Sequence, residues 1–290
     1  VDKRARHRSH VRAVLLVAAA SFALLPLGCT PATTPSPTIP ATPTATPTPP
    51  PTPTPAPTLI ATCDQYLEVT VGSYVVETNF FNQPACPGTQ CMVIDSVTGA
   101  FTVTQCPDCG VTVASYPNVL YGCSWGICSP GSSLPEQVSA LTSATSSWSF
   151  SVGGAAGDNW NVAYDLWFCP DDNCGANGFP GGAELMIWLD YQNIGGWLND
   201  QGPVNLNGRN WEVWTATQGS GGDSWDYVAY LIAPPMVTSV ADLDLMAFIQ
   251  DARARGYVLD TQYLYAVQAG IELRTGGIPY EHHSFSVSVP

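Results

Sequence analysis

Three acidic residues each interrupt a segment that is otherwise apolar. Glu184 lies in Gly182-Ala183-Glu184-Leu185-Met186-Ile187-Trp188-Leu189. Alternate residues of a strand face opposite sides, so Glu184, Met186 and Trp188 share one face and Leu185, Ile187 and Leu189 the other. A carboxylate, a thioether and an indole side by side make a floor for a sugar ring. The bland alternative is an edge strand with an incidental acid. Glu272, in Gln268-Ala269-Gly270-Ile271-Glu272-Leu273-Arg274, shares a face with Gln268 and Gly270, and Gly270 is expected to leave room there for a ligand. The bland alternative for Glu272 is a solvated strand end paired with Arg274. Asp165, in Asn161-Val162-Ala163-Tyr164-Asp165-Leu166-Trp167-Phe168, is a lone acid in an apolar strand, and a buried carboxylate without a partner is costly. Two carboxylates facing each other across a groove lined with aromatics suit the hydrolysis of a glycosidic bond.

Elements able to position such residues must come from an unusual composition. Only 11% of the 290 residues are charged, and the net charge is −14. Five of the nine bases fall in the first twelve residues; from residue 59 onward the cations are Arg209, Arg253, Arg255 and Arg274, with no lysine. An acidic surface of this kind repels phosphate backbones, which excludes nucleic acid as a partner. A neutral ligand is compatible, and nine Trp and twelve Tyr supply faces for stacking. Past the N-terminal region the histidines are His282 and His283. Mechanisms built on a positioned imidazole are therefore disfavoured, and the chemistry falls to carboxylates, with neither cofactor nor metal.

The basic residues 1–12 followed by an apolar run from Ala13 to Leu25 have the form of a secretory signal. The run ends at Leu25-Pro26-Leu27-Gly28-Cys29, which resembles a bacterial lipobox. Cys29 is a candidate for lipidation, with cleavage and release as the alternative, and a lipid there would be the sole link to a membrane. Residues 30–58 are Pro, Thr, Ala and Ser almost throughout; they cannot bury a core, and as polyproline II at ~3.1 Å per residue they would reach roughly 90 Å. The expected organisation is 1–29 export signal, 30–58 linker and 59–290 folded domain, secreted or held at the cell surface, a monomer. Ten cysteines in an exported chain imply disulfides. Cys169 and Cys174 could close a short loop. Cys106, Cys109, Cys123 and Cys128 have a spacing that loosely resembles a four-thiolate zinc site, against which an oxidising compartment favours bridges.

From residue 60 the pattern is that of strands, at 66–79, 100–105, 147–152, 160–168, 183–191, 210–216, 224–232, 262–271 and 284–289, separated by Gly, Pro, Asn and Ser clusters. The exception is 240–255, which has helical spacing, Ser239 as N-cap candidate with Asp242 three residues on, and Gly256 at its end. The expected fold is all-β, an antiparallel β-sandwich of the jelly-roll kind with one helix packed against it.

Several segments, in order, resemble glycoside hydrolase family 12, the small endo-β-1,4-glucanases and xyloglucanases. Glu-Leu-Met-Ile-Trp-Leu at 184–189 looks like the family's nucleophile strand. Cys63-Asp64-Gln65-Tyr66, Gly122-Cys123-Ser124-Trp125-Gly126, Asn161 to Leu166, Trp211-Glu212-Val213-Trp214, Gly270-Ile271-Glu272 with Gly276-Gly277, and the last strand at 284–289 fit likewise. The resemblance covers 63–290. It implies a jelly roll whose concave face holds a β-glucan, Glu184 as nucleophile, Glu272 as acid/base, and Asp165 tuning Glu184 through a hydrogen bond. It also implies bridges Cys63–Cys91 and Cys169–Cys174, and substrate contacts from Tyr66, Asn79, Phe81, Trp125, Met186 and Trp188. The chain departs from the family at Phe81, which stands where a Trp is usual, at Ser124 in place of a frequent His, and at Leu273-Arg274 in place of an apolar or aromatic pair. The competing readings are a jelly-roll carbohydrate-binding protein without turnover and a disulfide-rich or zinc-bearing structural protein.

Overall fold

Polar–apolar alternation resolves into strands throughout the folded part of the chain. The structure, a computed structural model, describes residues 56, 58–174, 178–194 and 199–289, which belong to a unit spanning Pro53–Pro290. The expected export signal and Cys29 lie outside the described residues, as does the linker apart from Ala56 and Thr58. In chain order the strands are β1 (Leu59–Thr62), β2 (Glu68–Val71), β3 (Tyr74–Glu77), β4 (Cys91–Asp95), β5 (Phe101–Gln105), β6 (Asn118–Ser124), β7 (Ile127–Cys128), β8 (Glu136–Gln137), β9 (Thr145–Val152), β10 (Asn159–Cys169), β11 (Ala183–Gln192), β12 (Asn199–Leu206), β13 (Arg209–Gln218), β14 (Trp225–Ile232), β15 (Ser239–Asp244), β16 (Tyr263–Thr275) and β17 (Tyr280–Ser288); the helix α1 is Leu245–Arg255.

One sheet runs β1-β4-β5-β17-β9-β15; the larger runs β12-β13-β14-β11-β10-β16-β6-β3-β2, with β7 on β6 and β8 on β16. The all-β sandwich forms as expected, with one departure: β11 and β14 pair in parallel. The core lies between the sheets. Trp160, Val162, Tyr164 and Leu166 of β10, Leu185, Ile187 and Leu189 of β11 and Val267, Ala269 and Ile271 of β16 meet Met92, Ile94, Phe101, Val103, Trp148 and Phe150 of the smaller sheet. Full burial of one such large side chain contributes about 1.5–3 kcal/mol. Alternation then sends the intervening residues of β10, β11 and β16 to the far side of the larger sheet, and among them are all three acids.

The structure corrects two expected elements. The segment 66–79 is a hairpin, not one strand: Val71 pairs with Tyr74, and Gly72 takes the positive φ of 58° that the two-residue turn demands. The helix begins at Leu245, not at 240, because Ser239–Asp244 is an edge strand on β9. Val240 and Leu243 extended the helical spacing upstream by coincidence. The N-cap is Asp244, whose Oδ1 accepts from Met246 N at 2.9 Å, and Gly256 closes the helix in the left-handed region as expected.

Among the described residues four bridges form: Cys63–Cys91, Cys86–Cys109, Cys123–Cys128 and Cys169–Cys174. The first and last are those the family resemblance implies. The four-thiolate zinc reading fails, because Cys109, Cys123 and Cys128 are spent in bridges and Cys106 alone of that set keeps a free thiol.

Candidate active site

Three neighbouring strands carry the acids. β10 is flanked by β11 and β16, and Asp165 stands opposite Met186 on one side and Gln268 on the other. Glu184 is opposite Trp167, and Glu272 is opposite Asn161. Asp165 points away from the core yet is only 5% exposed, and Met186 and Trp188 beside it are 2% and 3% exposed. A flat sheet face cannot hide side chains so well; this face is recessed. Burial first, and then the charges of all three carboxylates, hold the phenols of Tyr116 and Tyr227 well above their ordinary value.

Each acid meets different partners. The Trp225 indole Nε1 donates to Glu184 Oε2 at 2.7 Å, and Tyr227, opposite Glu184 on the parallel strand, donates its hydroxyl to Met186 Sδ at 3.2 Å. Burial pushes Glu184 up to about 8; the Trp225 bond opposes that rise and the charge of Glu272 adds to it. Asp165 is held well above the usual carboxylate range by burial first and then by the charges of Glu184 and Glu272. The expected Asp165–Glu184 hydrogen bond does not form: Asp165 Oδ1 has no partner among the described residues. Coupling between the two acids runs through charge across a low-dielectric gap. Glu272 sits in polar company, with Arg274 Nη2 at 3.4 Å from its Oε2 and Arg274 Nη1 donating to Asn161 Oδ1 at 2.7 Å.

Gly270 does not make room for a ligand. A Cβ there would collide with the Pro117 carbonyl and Asn118 on β6, so glycine is required by the approach of the neighbouring strand. Beyond it lies a buried polar chain. Trp167 Nε1 donates to Gln268 Oε1 at 3.0 Å, Gln268 Nε2 to Asn118 Oδ1 at 3.1 Å and to Glu77 Oε2 at 3.2 Å, and Asn118 Nδ2 to Glu77 Oε2 at 2.9 Å. Burial raises Glu77 to about 7 against those two bonds.

The expected stacking residues are placed unevenly. Met186 and Trp188 are buried in the floor. Phe81 and Tyr66 are 41% and 58% exposed and lie on neighbouring segments joined by the reciprocal bonds of Gln65 and Phe80. Asn79 adopts φ 40°, and its backbone carbonyl accepts from Tyr116 N at 3.0 Å. Trp125, 50% exposed, stands edge-on to Trp167, Phe179 and Trp225. Sequence reasoning missed Trp225, Tyr227 and Glu77. The first two reach the site through the parallel β11–β14 pairing, which no periodicity announces. Glu77 could have been noticed as an acid among the apolar residues of 74–80.

Residues 72–290 match the family model for glycosyl hydrolase family 12. The chain belongs to that family. Among solved structures, endoglucanase cel12A from Rhodothermus marinus is 39% identical, with a TM-score of 0.73 over 80% of this chain and 99% of that one. A metagenome-derived family 12 endoglucanase is 40% identical, with a TM-score of 0.73 over 80% and 98%. A probable xyloglucan-specific endo-β-1,4-glucanase A of Aspergillus terreus is 29% identical over 238 residues, 78% of this chain and 86% of the relative. This family 12 protein is thus a glycoside hydrolase of β-1,4-glucans, and the reading as a binding module without turnover is not favoured.

Proposed function

We propose that this family 12 enzyme is an endo-acting retaining glucanase with Glu184 as nucleophile, Glu272 as acid/base and Asp165 as proton holder. The observation that carries the proposal is the meeting of three carboxylates on one recessed face, with an indole N–H aimed at one of them. An indole can only donate, so Trp225 favours the ionised form of Glu184 and occupies Oε2, leaving Oε1 to attack. Three carboxylates in a low-dielectric space cannot all be ionised. Of these two charge-coupled acids, Asp165 keeps its proton in the reactive form and Glu184 gives its own up.

In the first step Glu184 bonds to the anomeric carbon, the glycosidic C–O bond breaks, and Glu272 gives its proton to the departing 4-oxygen. In the second, Glu272 takes a proton from water, whose oxygen bonds to the anomeric carbon as Glu184 leaves. Retention calls for carboxyl groups about 5–5.5 Å apart and inversion for roughly 6.5–9.5 Å. Phe81, Tyr66 and Trp125 would stack on glucose units along the groove, and Asn79 would hydrogen-bond one. The basic-then-apolar start and four bridges support action outside the cell, with Cys29 a candidate lipid site.

The deciding experiment is NMR of the first products of a cello-oligosaccharide. A β-anomer appearing first, before mutarotation, is the expected result; an α-anomer appearing first would show inversion and remove Glu184 as nucleophile.

A further inference from the structure

Arg274 is 5% exposed and sits two residues beyond Glu272, on the same face of β16. Among the described residues it is the one cation paired with a site carboxylate; Arg253 and Arg255 pair with Asp260 and Asp251. Its two contacts are unequal. The bond to Asn161 Oδ1, 2.7 Å, is short, whereas the approach to Glu272 Oε2, 3.4 Å, is long for a charge-assisted pair. The guanidinium is thus fixed by Asn161 rather than by Glu272. Its backbone is fixed as well: Cys109 N donates to Arg274 O at 2.8 Å, and Cys109 is tied to Cys86.

We propose that Arg274 is a positioning residue for proton delivery by Glu272. This rests on the acid/base reading of Glu272 given above. A guanidinium has donors only, so the carboxyl presents Oε2 to Arg274 and carries its proton on Oε1, turned to the glycosidic oxygen. The loose contact lets that proton reside there in the ground state. As it passes to the leaving oxygen, negative charge forms on Glu272 and the Arg274 contact tightens. An interaction stronger in the transition state than in the ground state accelerates the step. When water later returns a proton to Glu272, the contact relaxes again. Asn161 is the anchor of the device: with its Oδ1 held by Arg274, its Nδ2 has no partner among the described residues and lies opposite Glu272.

The test is a leaving-group series. kcat/KM is measured for Arg274→Met and Arg274→Lys on cellotetraose and on aryl β-cellobiosides, from dinitrophenyl to phenyl. General acid catalysis contributes about 10²–10⁴-fold, and Arg274→Met should forfeit about tenfold of it on cellotetraose. The dinitrophenyl substrate needs no protonation, and its rate should change less than twofold, which also reports an intact fold. Arg274→Lys, which restores charge but not the fork, should fall between Met and wild type. In a Glu272→Ala background, Arg274→Met should leave the series unchanged. Equal losses across the series, or an undiminished effect without Glu272, would overturn the role of Arg274. Glu272→Ala losing all substrates alike would instead overturn the acid/base reading itself.

Discussion

Glu184 and Glu272 are the same side chain in two different surroundings. Glu184 is ringed by Trp225, Trp167, Tyr227 and Met186, and burial there raises it to about 8. Glu272 has Arg274 and Asn161 for neighbours. The division teaches how one sheet face can engage one oxygen of each of two carboxyls by different means, although burial raises Glu184 and a cation stands beside Glu272. An aromatic wall with a single N–H donor orients one oxygen of a nucleophile, and a cation held off by a third residue accommodates charge that appears only during reaction.

The comparison breaks most severely at Glu184. Glu184→Gln keeps the size and an acceptor for Trp225 but has no nucleophilic oxygen, and turnover on glucan should fall by about four orders of magnitude or more. Retained binding of cello-oligosaccharide, measured by calorimetry, should accompany the loss. Turnover near wild type would mean that the aromatic side of the face does not hold the nucleophile. Glu272→Ala should lose about 10²–10⁴-fold on glucan, yet added azide should restore turnover of dinitrophenyl cellobioside and yield a β-glycosyl azide. Absence of that adduct would show that the polar side does not carry the acid/base.

The aromatic environment itself is tested by Trp225→Phe, which removes the donor and keeps the ring. The Trp225 bond lowers the pKa of Glu184, so its loss raises that pKa further. Glu184 then protonates at higher pH, and the acid limb of the kcat/KM profile should move up by about one unit, since a hydrogen bond to a charged group contributes about 1.5–3 kcal/mol. An unmoved acid limb would assign it to another group. A smaller effect is expected at the rim. Phe81→Ala should reduce kcat/KM on cellotetraose about fivefold, in line with ~1 kcal/mol from stacking, and Phe81→Trp should preserve it.

What the sequence made legible follows the same division. Glu184, Glu272 and Asp165 could each be singled out because each breaks a period-2 apolar strand, but that they meet on one face follows from the pairing of β10 with β11 and β16, which carries register shifts at Val162/Ala163 and Trp167/Phe168. The short strands escaped. Cys91–Asp95 and Asn118–Ser124 carry little alternation, the latter being interrupted by Gly122, and Ser239–Asp244 is mostly exposed at an edge. The partners of the acids escaped where they depend on non-local pairing. Trp225 lies 41 residues from Glu184, across β12 and β13, and only the parallel β11–β14 register brings them together. Arg274 was visible as a departure beside Glu272, but its anchoring by Asn161, 113 residues away, was not.

Glu77 sharpens the comparison from outside it, as a third glutamate and one that is fully buried. Its Oε2 accepts from Asn118 and Gln268, its exposure is 4%, and burial lifts it from 4.5 to about 7. Below about pH 4.5 the folded and unfolded chains both carry the proton, and the group adds no pH dependence. Between 4.5 and 7 the folded chain keeps the proton while the unfolded chain releases it. The unfolded state thus binds fewer protons, and stability falls as pH rises through this window. Above 7 the cost is complete. Glu77→Gln retains an oxygen acceptor for both donors and removes the charge, so it should raise stability at pH 8 by roughly 1–3 kcal/mol and leave it unchanged at pH 4. Turnover should stay within about twofold, because Glu77 reaches the catalytic face only through Gln268 and the neutral Trp167 bond is the same in both forms. Denaturant unfolding at the two pH values checks this. Equal stability of the variant and wild type at pH 8 would show that Glu77 ionises at no cost, and that the chain Trp167–Gln268–Glu77 is open to water.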